Sequence, residues 1–341
     1  MSSLPMWHDC GNQRSVPSMA YYWVLPQRMA YWLLVFLLVL PLTLVAQSES
    51  RTASNLPIID MHFHAMWDGP DLKEPLTGFI SPKTPDELRR LNIAALNRYH
   101  IIKVVASGDQ LESYEQELGS KIIAGILLPT QISTLGTKQT REDLGVSPAS
   151  LRQMHKEGKL DALSEFAPQY AGLPPASPQL EQYWSVAEEL EIPVGIHMGL
   201  GPPGAAYVGF PEYRMQLSNP LLLEDVLVRH PKLRVYICHA GWPFINELLG
   251  LLYAHPQVYV DVAVINWVLP QAEFHAYLRR IVDAGFADRI MYGTDNMNWP
   301  DSFGLAITRS SAPFLTENQK RDVLCRNAAR FLRLKSTVCE Q

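Results

Sequence analysis

Two histidines, His62 and His64, stand two residues apart near the end of the stretch Ile58–Ala65. Apolar and β-branched residues at the start of this stretch are typical of a buried strand. Side chains at positions i and i+2 of a strand point to the same face, so both imidazoles can reach one metal ion. With 10 histidines in 341 residues, chance alone supplies a His-x-His pair roughly 0.3 times in such a chain. The pair therefore indicates a metal site only if further ligands accompany it.

The stretch opens an alternation of strand-like apolar runs and helical patterns that continues from Pro57 onward. Further strands are predicted at 101–106, 121–128, 160–166, 193–197, 233–239, 258–264 and 289–292. Eight strands, each followed by a helix, are the pattern of a closed parallel barrel. A doubly wound open sheet is the alternative, but no Gly-x-Gly-x-x-Gly follows the first strand. We therefore predict an α/β fold, a (β/α)8 TIM barrel at residues 57–335.

Polar residues collect at the ends of these predicted strands. Side chains at the C-terminal ends of barrel strands face the active site. The residues at these ends are His62 and His64 (strand one), Glu165 (strand four), His197 (strand five), His239 (strand six) and Asp295 (after strand eight). Scattered placement would rarely produce this pattern. The combination predicts one polar site at the mouth of the barrel.

The motifs around these residues carry a family resemblance. They are IIDMHFHA at 58–65, PVGIHMG at 193–199, RVYICHAGWP at 234–243 and DRIMYGTDNMNWP at 288–300. Together they resemble the amidohydrolase superfamily, specifically its amidohydrolase-related branch, which includes aminocarboxymuconate-semialdehyde decarboxylase and several aromatic-acid decarboxylases. The resemblance extends from Pro57 to Leu334 and leaves out the N-terminal segment.

Donor chemistry and the resemblance imply the same roles. His62, His64, His197 and Asp295 would bind one divalent ion, zinc by preference, and leave a coordination position for water. Asp295 would also accept the water proton during attack and pass it to the leaving group. In single-metal members of the superfamily the histidine at this position contacts the water rather than the metal. His239 would therefore orient the water or stabilise a developing oxyanion.

Glu165 has two interpretations. In members with two metals, a carboxylate or modified lysine from strand four bridges the ions, and His197 and His239 then hold the second ion. No lysine lies at this strand end, so Glu165 is the only candidate bridge. Alternatively, Glu165 accepts a hydrogen bond from a ligand histidine without touching the metal. One ion is our expectation, with two as the alternative.

Aromatic and basic residues near the strand ends are candidates for substrate binding. Four of the eight tryptophans follow a predicted strand end: Trp67, Trp242, Trp267 and Trp299. They would either form an aromatic wall for an apolar or ring-shaped substrate or pack between the loops. Arg214, in the loop after strand five, would either bind a substrate carboxylate in bidentate fashion or remain solvated.

Three functions are compatible with these residues. The first is a metal-dependent hydrolase that cleaves a C–O or C–N bond in a lactone, ester or cyclic amide. The second is a metal-dependent decarboxylase of an aromatic or unsaturated acid, which the ligand set does not separate from the first. The third is a non-catalytic binding barrel, which predicts broken ligands, whereas the whole ligand set is present in this chain.

The composition limits the partners. The chain is 47% hydrophobic and 18% charged, with a net charge of −5. This mild acidity, without clusters of lysine or arginine, argues against nucleic-acid binding. We expect a small-molecule substrate, and a homo-oligomer is compatible with the sequence.

The N-terminal segment predicts export or membrane attachment. Residues 29–46 form an uncharged apolar run of 18 residues, which suits a cleaved signal peptide ending near Ala46 or an uncleaved membrane anchor. Residues 1–28 are expected to be disordered, with translation from Met19 or Met29 as the alternative, and 47–56 to form a tether. The protein would then be periplasmic, secreted or membrane-anchored.

The cysteines give a weaker indication of compartment. Cys238, within a predicted strand, is expected to be a buried core thiol. Cys325 and Cys339 would be able to pair in an exported protein, although their spacing alone does not establish a disulfide. No CxxC motif or zinc-finger spacing is present.

Overall fold

The computed structural model describes residues 56–129 and 145–340. Eight parallel strands follow one another in sequence order within one sheet. They are β1 Ile58–His64, β2 Ile101–Ser107, β3 Ile122–Leu128, β4 Ala162–Phe166, β5 Val194–His197, β6 Val235–Cys238, β7 Val258–Asp261 and β8 Ile290–Met291. The amide of Met61 donates to the carbonyl of Tyr292 (3.0 Å) and joins the last strand to the first, so the barrel is nearly closed. The predicted eight-stranded barrel is confirmed, and the open doubly wound sheet is excluded.

Helices follow the strands along the chain. They are α1 Pro85–Arg98, α2 Leu111–Leu118, α3 Pro148–Lys156, α4 Glu181–Glu189, α5 Glu224–Arg229, α6 Ile245–Ala254, α7 Ile265–Val268, α8 Gln271–Asp283, α9 Ser302–Ser310, α10 Glu317–Arg321 and α11 Asn327–Phe331. A π-helical segment, Asp322–Arg326, joins α10 to α11. Helices α7 and α9 lie in the segments that follow the ends of β7 and β8.

Helix α1 shows how local sequence defines these elements. The Thr84 side chain accepts a hydrogen bond from the Glu87 amide, and proline occupies the first helical position. Leu88, Asn92 and Leu96 are buried at a spacing of four residues, so one face of the helix packs against the barrel. The observed bounds coincide with those that the capping signals indicate.

The barrel interior is filled beneath the strand ends. Tyr236 is fully buried, and its hydroxyl donates to the carbonyl of Met61 (2.9 Å) and lies 3.0 Å from the Ser164 hydroxyl. A side chain at Gly195 would overlap the Tyr236 ring, so glycine is required at this point of β5. Cys238 packs in the same cluster as a buried free thiol, as predicted. The polar residues of the site therefore lie above a packed core.

A disulfide closes the C-terminal end of the chain. It joins Cys325 to Cys339, 14 residues later, and both sulfurs pack in the same buried cluster as Phe331. Phe331 accepts a hydrogen bond from Arg234, which precedes β6, so the disulfide lies at the N-terminal end of the barrel, away from the histidines.

We expect loss of this disulfide to lower stability without affecting the chemistry. A cross-link closing a loop of this length contributes about 3 kcal/mol in the chain-entropy account. Cys339→Ser should therefore lower the free energy of unfolding by about 3 kcal/mol in guanidinium titrations. The free energy of unfolding of wild type in dithiothreitol should equal that of the variant. Equal midpoints for oxidised wild type and the variant would contradict this prediction.

The predicted N-terminal segments, 1–28, 29–46 and nearly all of 47–56, lie outside the described residues. Within the described ranges, every helix is too short or too polar to cross a bilayer.

Candidate active site

The six polar residues of the predicted site all lie at the C-terminal ends of the strands and are buried. His62 and His64 belong to β1, Glu165 to β4 and His197 to β5, while His239 and Asp295 follow β6 and β8. Glu165 and Asp295 are the most accessible, and each exposes only 6% of its surface. Charged groups at this depth need partners or a bound ion.

The first group consists of His62, His64 and Asp295. The two histidine Nε2 atoms lie 3.2 Å apart, and Nε2 of His64 lies 3.0 Å from a carboxylate oxygen of Asp295. Two ligands at about 2.1 Å from one tetrahedral ion are about 3.4 Å apart. Each of these two contacts therefore has the spacing of two ligands to one ion, and the donor atoms of His62, His64 and Glu165 all lie within 4.8 Å of one another.

The second group consists of Glu165, His197 and His239. Oε1 of Glu165 contacts Nδ1 of His197 and lies 3.3 Å from Nε2 of His239. The two histidine nitrogens are 3.2 Å apart. The other oxygen of Glu165, Oε2, lies 3.8 Å from Nε2 of His62 in the first group. Glu165 thus stands between the two groups, and His197 lies with the second group rather than the first.

Both carboxylates at the centre are anionic. Burial alone would raise the pKa of Glu165, but the charge of His197 and hydrogen bonds with His197, His239 and His62 outweigh burial and hold it well below its usual range. Burial opposes ionisation of Asp295 as well, yet the neighbouring charge of His62 leaves its pKa lowered. Both groups therefore have lone pairs available for a cation at neutral pH.

The imidazoles differ in the direction of their pKa shifts. Burial disfavours the charged form of His62, but the charge of Asp295 and the hydrogen bond to Asp261 raise its pKa. Burial dominates at His197 and lowers its pKa. The Nδ1 atom of His64 and the Nε2 atom of His197 are buried without a hydrogen-bond partner among the described residues. These two atoms are not the ring nitrogens that face the site. The clustered carboxylate oxygens and imidazole nitrogens of His62, His64 and Glu165, and of Glu165, His197 and His239, fit a divalent metal.

Two site residues lie on strained backbone. His239 and Asp295 have φ angles of 59° and 50°, in the left-handed region that residues with a Cβ rarely adopt. Such conformations cost roughly 1–3 kcal/mol each and cluster at functional sites.

Asp261, at the end of β7, is a site residue that the sequence analysis missed. It is fully buried, and its Oδ2 accepts a hydrogen bond from Nδ1 of His62 at 3.1 Å. Its Oδ1 accepts from the backbone amides of His239 (2.8 Å) and Ala263 (3.0 Å). This carboxylate therefore keeps the proton of His62 on Nδ1 and leaves Nε2 free to bind a cation. The predicted seventh strand ran to Val264, whereas β7 ends at Asp261. With the observed end, Asp261 would have been predicted as a site residue, like the other polar residues at strand ends.

Asp60 and Asn296 attach the first strand to the loop after β8. Oδ1 of Asp60 accepts from the amides of His62 (3.0 Å) and Thr294 (2.9 Å), and burial raises its pKa to about 6. Asn296 accepts from the His64 amide at 2.9 Å. These contacts determine where the two histidines stand relative to Asp295.

All four candidate tryptophans donate their indole N–H groups to acceptors within the protein. Trp67 donates to Pro82 and Trp299 to Leu72, so both bind the first loop. Trp242 donates to Glu273. Trp267 is fully buried and donates to the carbonyl of Thr294 (2.7 Å), which makes it a core residue rather than a pocket wall.

Arg214 is exposed, and its guanidinium donates to the carbonyls of Pro211 (2.8 Å) and Tyr213 (2.7 Å) in its own loop. It is not among the residues that the structure brings to the metal-binding groups. The carboxylate-binding interpretation therefore gains no support.

An unpredicted aromatic cluster borders His197 instead. The Tyr170 ring contacts the His197 ring edge-on at 5.1 Å and packs against Phe210 and Tyr213. Burial, together with the charges of Glu165, Tyr213 and Asp295, raises the pKa of Tyr170 well above its usual value. Its phenol therefore stays protonated at neutral pH.

Similar barrels are known among solved structures. An uncharacterised TIM-barrel protein from Bordetella bronchiseptica is 17% identical, with a TM-score of 0.56 over 82% of this chain and 99% of the other. A probable 2-pyrone-4,6-dicarboxylic acid hydrolase from Acinetobacter baumannii is 13% identical (TM-score 0.56; 82% and 100% covered). A 5-carboxyvanillate decarboxylase from Sphingomonas paucimobilis is 12% identical (TM-score 0.54; 82% and 100% covered). At these identities the likeness shows the fold alone.

Sequence comparison finds a curated relative and a matching family model. Protein fluG of Emericella nidulans is 20% identical over 210 residues, which cover 57% of this chain and 23% of that protein. The chain thus spans less than a quarter of that curated relative. A model of the family described as Amidohydrolase matches residues 59–334, and the chain accordingly belongs to the amidohydrolase family, as its motifs predicted.

Proposed function

We propose that the barrel is a metal-dependent hydrolase that cleaves a C–O or C–N bond in a small neutral lactone, ester or cyclic amide. The charge of the site supports this choice. The ion pairs of the six site residues involve only one another and Asp261, and the described lysines and arginines form none with them. A substrate carboxylate normally requires a cationic partner such as arginine. A neutral carbonyl compound suits this site better than an aromatic acid.

The residues divide the chemistry among them. A divalent ion bound here would lower the pKa of a water ligand to near 7. Asp295 accepts the water proton during attack on the carbonyl and delivers it to the leaving group. Because a carbonyl oxygen only accepts, the 3.1 Å contact with Ala263 keeps the proton of His239 on Nδ1. When a cation replaces the hydrogen bond to Glu165, Nε2 of His239 would therefore offer the ion a lone pair.

This arrangement favours two ions over the single ion expected from the sequence. The two oxygens of Glu165 face different histidine groups, which is the geometry of a bridging carboxylate. His62 and His64 would hold one ion and His197 with His239 the other, and Glu165 belongs to both groups. Asp295, 3.0 Å from Nε2 of His64, would add a further ligand to the first. Zinc remains our preferred metal, because imidazole and carboxylate donors suit it.

Metal stoichiometry tests the bridge. We expect wild type to bind two equivalents and Glu165→Gln to bind one, because a neutral amide is a poor bridging ligand that keeps the shape of the side chain. Elemental analysis of protein purified without chelator measures both. Two equivalents in the variant, or a single equivalent in both proteins, would assign Glu165 a hydrogen-bonding role only. Wild-type protein that contains no metal would instead support the interpretation as a non-catalytic binding barrel.

Substrate panels test the reaction. The metal-loaded chain should hydrolyse members of a panel of neutral lactones, esters and cyclic amides, with acid release followed by pH indicator. A parallel panel of aromatic and unsaturated acids should give no carbon dioxide. Carbon dioxide release without hydrolysis would overturn the proposal in favour of the decarboxylase.

We also propose that the protein acts outside the cytoplasm. The Cys325–Cys339 disulfide supports this, because such bonds persist in oxidising compartments. Expression of the full chain followed by fractionation should recover it in the exported or membrane fraction. Recovery as a reduced cytosolic protein would contradict the proposal.

A further inference from the structure

Strand β1 is irregular at the candidate metal ligand His62. Between Asp60 and Phe63 this strand holds two residues, Met61 and His62, where the facing segment of β2 holds only one. An extra residue of this kind is a β-bulge, which bends the strand, gives a side chain a new direction and is frequent beside active sites. The direction in which His62 points therefore depends on how the bulged segment is held.

Strand β4 is irregular in the same way at Glu165. The residues on either side, Ser164 and Phe166, pair with two consecutive residues of β5, so Glu165 is the extra residue. Oε2 of Glu165 lies 3.8 Å from Nε2 of His62, and this contact joins the two metal-binding groups. The separation of the groups therefore depends on two bulges in strands that are not neighbours in the sheet.

One buried side chain bonds to both bulged segments. The Tyr236 hydroxyl donates to the carbonyl of Met61, immediately before His62, at 2.9 Å. It also lies 3.0 Å from the hydroxyl of Ser164, immediately before Glu165. A phenol has a single proton, and Tyr236 donates it to Met61, so Ser164 is the donor in the second contact. A continuous chain of hydrogen bonds therefore joins β4 to β1 through a residue of β6.

The peptide group between Met61 and His62 is held by side chains at both of its polar atoms. Its carbonyl accepts from Tyr236, and its N–H donates to Oδ1 of Asp60 at 3.0 Å. A buried backbone carbonyl needs a partner, so loss of the tyrosine hydroxyl would leave this one unpaired. The peptide would then be free to rotate, and the His62 ring would move with it.

Tyr236 acts from beneath the site and does not reach a substrate. It is fully buried and packs among the apolar side chains of the barrel interior. Its ring passes β5 at Gly195, where a Cβ would overlap the ring and the hydroxyl. Glycine at that point of β5 therefore keeps open the path from β6 to Ser164.

We propose that Tyr236 is a positioning residue that holds His62 and Glu165 at the separation required for metal binding. This assignment rests on the metal site of the proposed function and does not depend on the reaction or the substrate. Tyr236 supplies no donor atom to the ion. It holds the peptide that precedes one ligand and, through Ser164, the backbone that precedes the other. Loss of its hydroxyl therefore leaves every ligand in place but no longer fixes their separation.

Zinc titration of the metal-free protein, in competition with a chromophoric chelator, tests the assignment. We expect Tyr236→Phe to bind zinc roughly 10-fold more weakly than wild type, at the lower end of the losses measured for residues that orient metal ligands. Ser164→Ala removes the contact with β4 and retains the bond to Met61. It should weaken zinc binding by roughly 3-fold, since one of the two hydrogen bonds remains.

Tyr114→Phe is the matched control. Tyr114 is also buried, but its hydroxyl accepts from the side chain of Asn92 (2.9 Å) and joins helix α2 to helix α1. Each phenylalanine variant loses buried hydrogen bonding and should melt roughly 3 °C below wild type. Only Tyr236→Phe should lose zinc affinity, because a purely structural role would lower the melting temperature without changing metal binding.

The outcomes separate this assignment from the hydrolase. Equal zinc affinities in wild type and Tyr236→Phe would overturn the positioning role and leave the metal site intact, as would equal losses in Tyr236→Phe and Tyr114→Phe. If Tyr236→Phe does not fold, an unchanged affinity in Ser164→Ala overturns the assignment. Wild type that binds no zinc would reject both the metal site and the role of Tyr236. Weaker zinc binding by Tyr236→Phe in a protein that hydrolyses no panel substrate would retain the role and reject the hydrolase.

Discussion

The His62→Ala variant is expected to lose its bound metal and its turnover while keeping its fold. His62 supplies Nε2 to the first metal-binding group, 3.2 Å from Nε2 of His64. Loss of a residue that only orients a metal ligand costs 10–100-fold in metal affinity, so loss of the ligand itself should cost more than about 100-fold. Asp295→Asn should behave alike, since an amide neither binds the ion strongly nor accepts the water proton. Elemental analysis measures the bound metal, a kinetic assay the turnover, and circular dichroism the retention of the fold.

His255→Ala is the matched control for this prediction. His255 follows α6, where Nε2 is 3.3 Å from the Glu224 carboxylate, and its carbonyl accepts from the amide of Val258 at the start of β7. It therefore lies at the N-terminal end of the barrel, opposite the site. It should retain metal content and rate. Near wild-type turnover in His62→Ala would reject the metal mechanism, whereas equal losses in both variants would show that the effect does not depend on the site.

The Asp261→Asn variant is expected to weaken metal binding by roughly 10–100-fold, although Asp261 lies behind a ligand rather than in the coordination shell. Its Oδ1 would still accept from the amides of His239 and Ala263 as the carbonyl of an asparagine side chain. The asparagine NH2 group would then face Nδ1 of His62 and donate to it. The His62 proton would move to Nε2, which is the atom that must bind the metal.

Titration of the metal-free variant with zinc, followed by activity at saturating metal, separates the two consequences of this substitution. The metal affinity should fall, and saturating zinc should restore part of the rate. Because the hydrogen bonds to the backbone are retained, thermal unfolding should change little. An unchanged metal affinity would show that His62 keeps its tautomer without Asp261.

Much of the site could be predicted because parallel strands bring their C-terminal ends together. His62, His64, His197, His239 and Asp295 required only the assignment of strand ends, and these are marked by apolar runs. The predicted strand end was wrong where an apolar run continues beyond the end of the strand. The apolar residues after Asp261 extended β7 to Val264 and hid the carboxylate that orients His62.

The grouping of the ligands could not be predicted. His197 turns its Nδ1 toward Glu165 rather than joining His62 and His64, and this depends on side-chain rotamers that neighbouring strands select. The roles of loop residues could not be predicted from the sequence either. Trp267 proved to be a core residue, and Tyr170 reached the site through a turn that has no periodic signal.

The junction between β8 and β1 has a consequence for folding. Asp295 donates its amide to the carbonyl of His62 (2.7 Å), and Asn296 binds the backbone of His64, 232 residues earlier in the chain. These contacts close the longest loop of the barrel, and the entropy of closing it opposes folding. A metal ion shared by His64 and Asp295, whose donor atoms are 3.0 Å apart, would act as a cross-link between the two ends of the barrel. It would stabilise the native state through mass action, by an amount set by its concentration relative to its dissociation constant. The barrel and its metal site should therefore assemble as one cooperative unit.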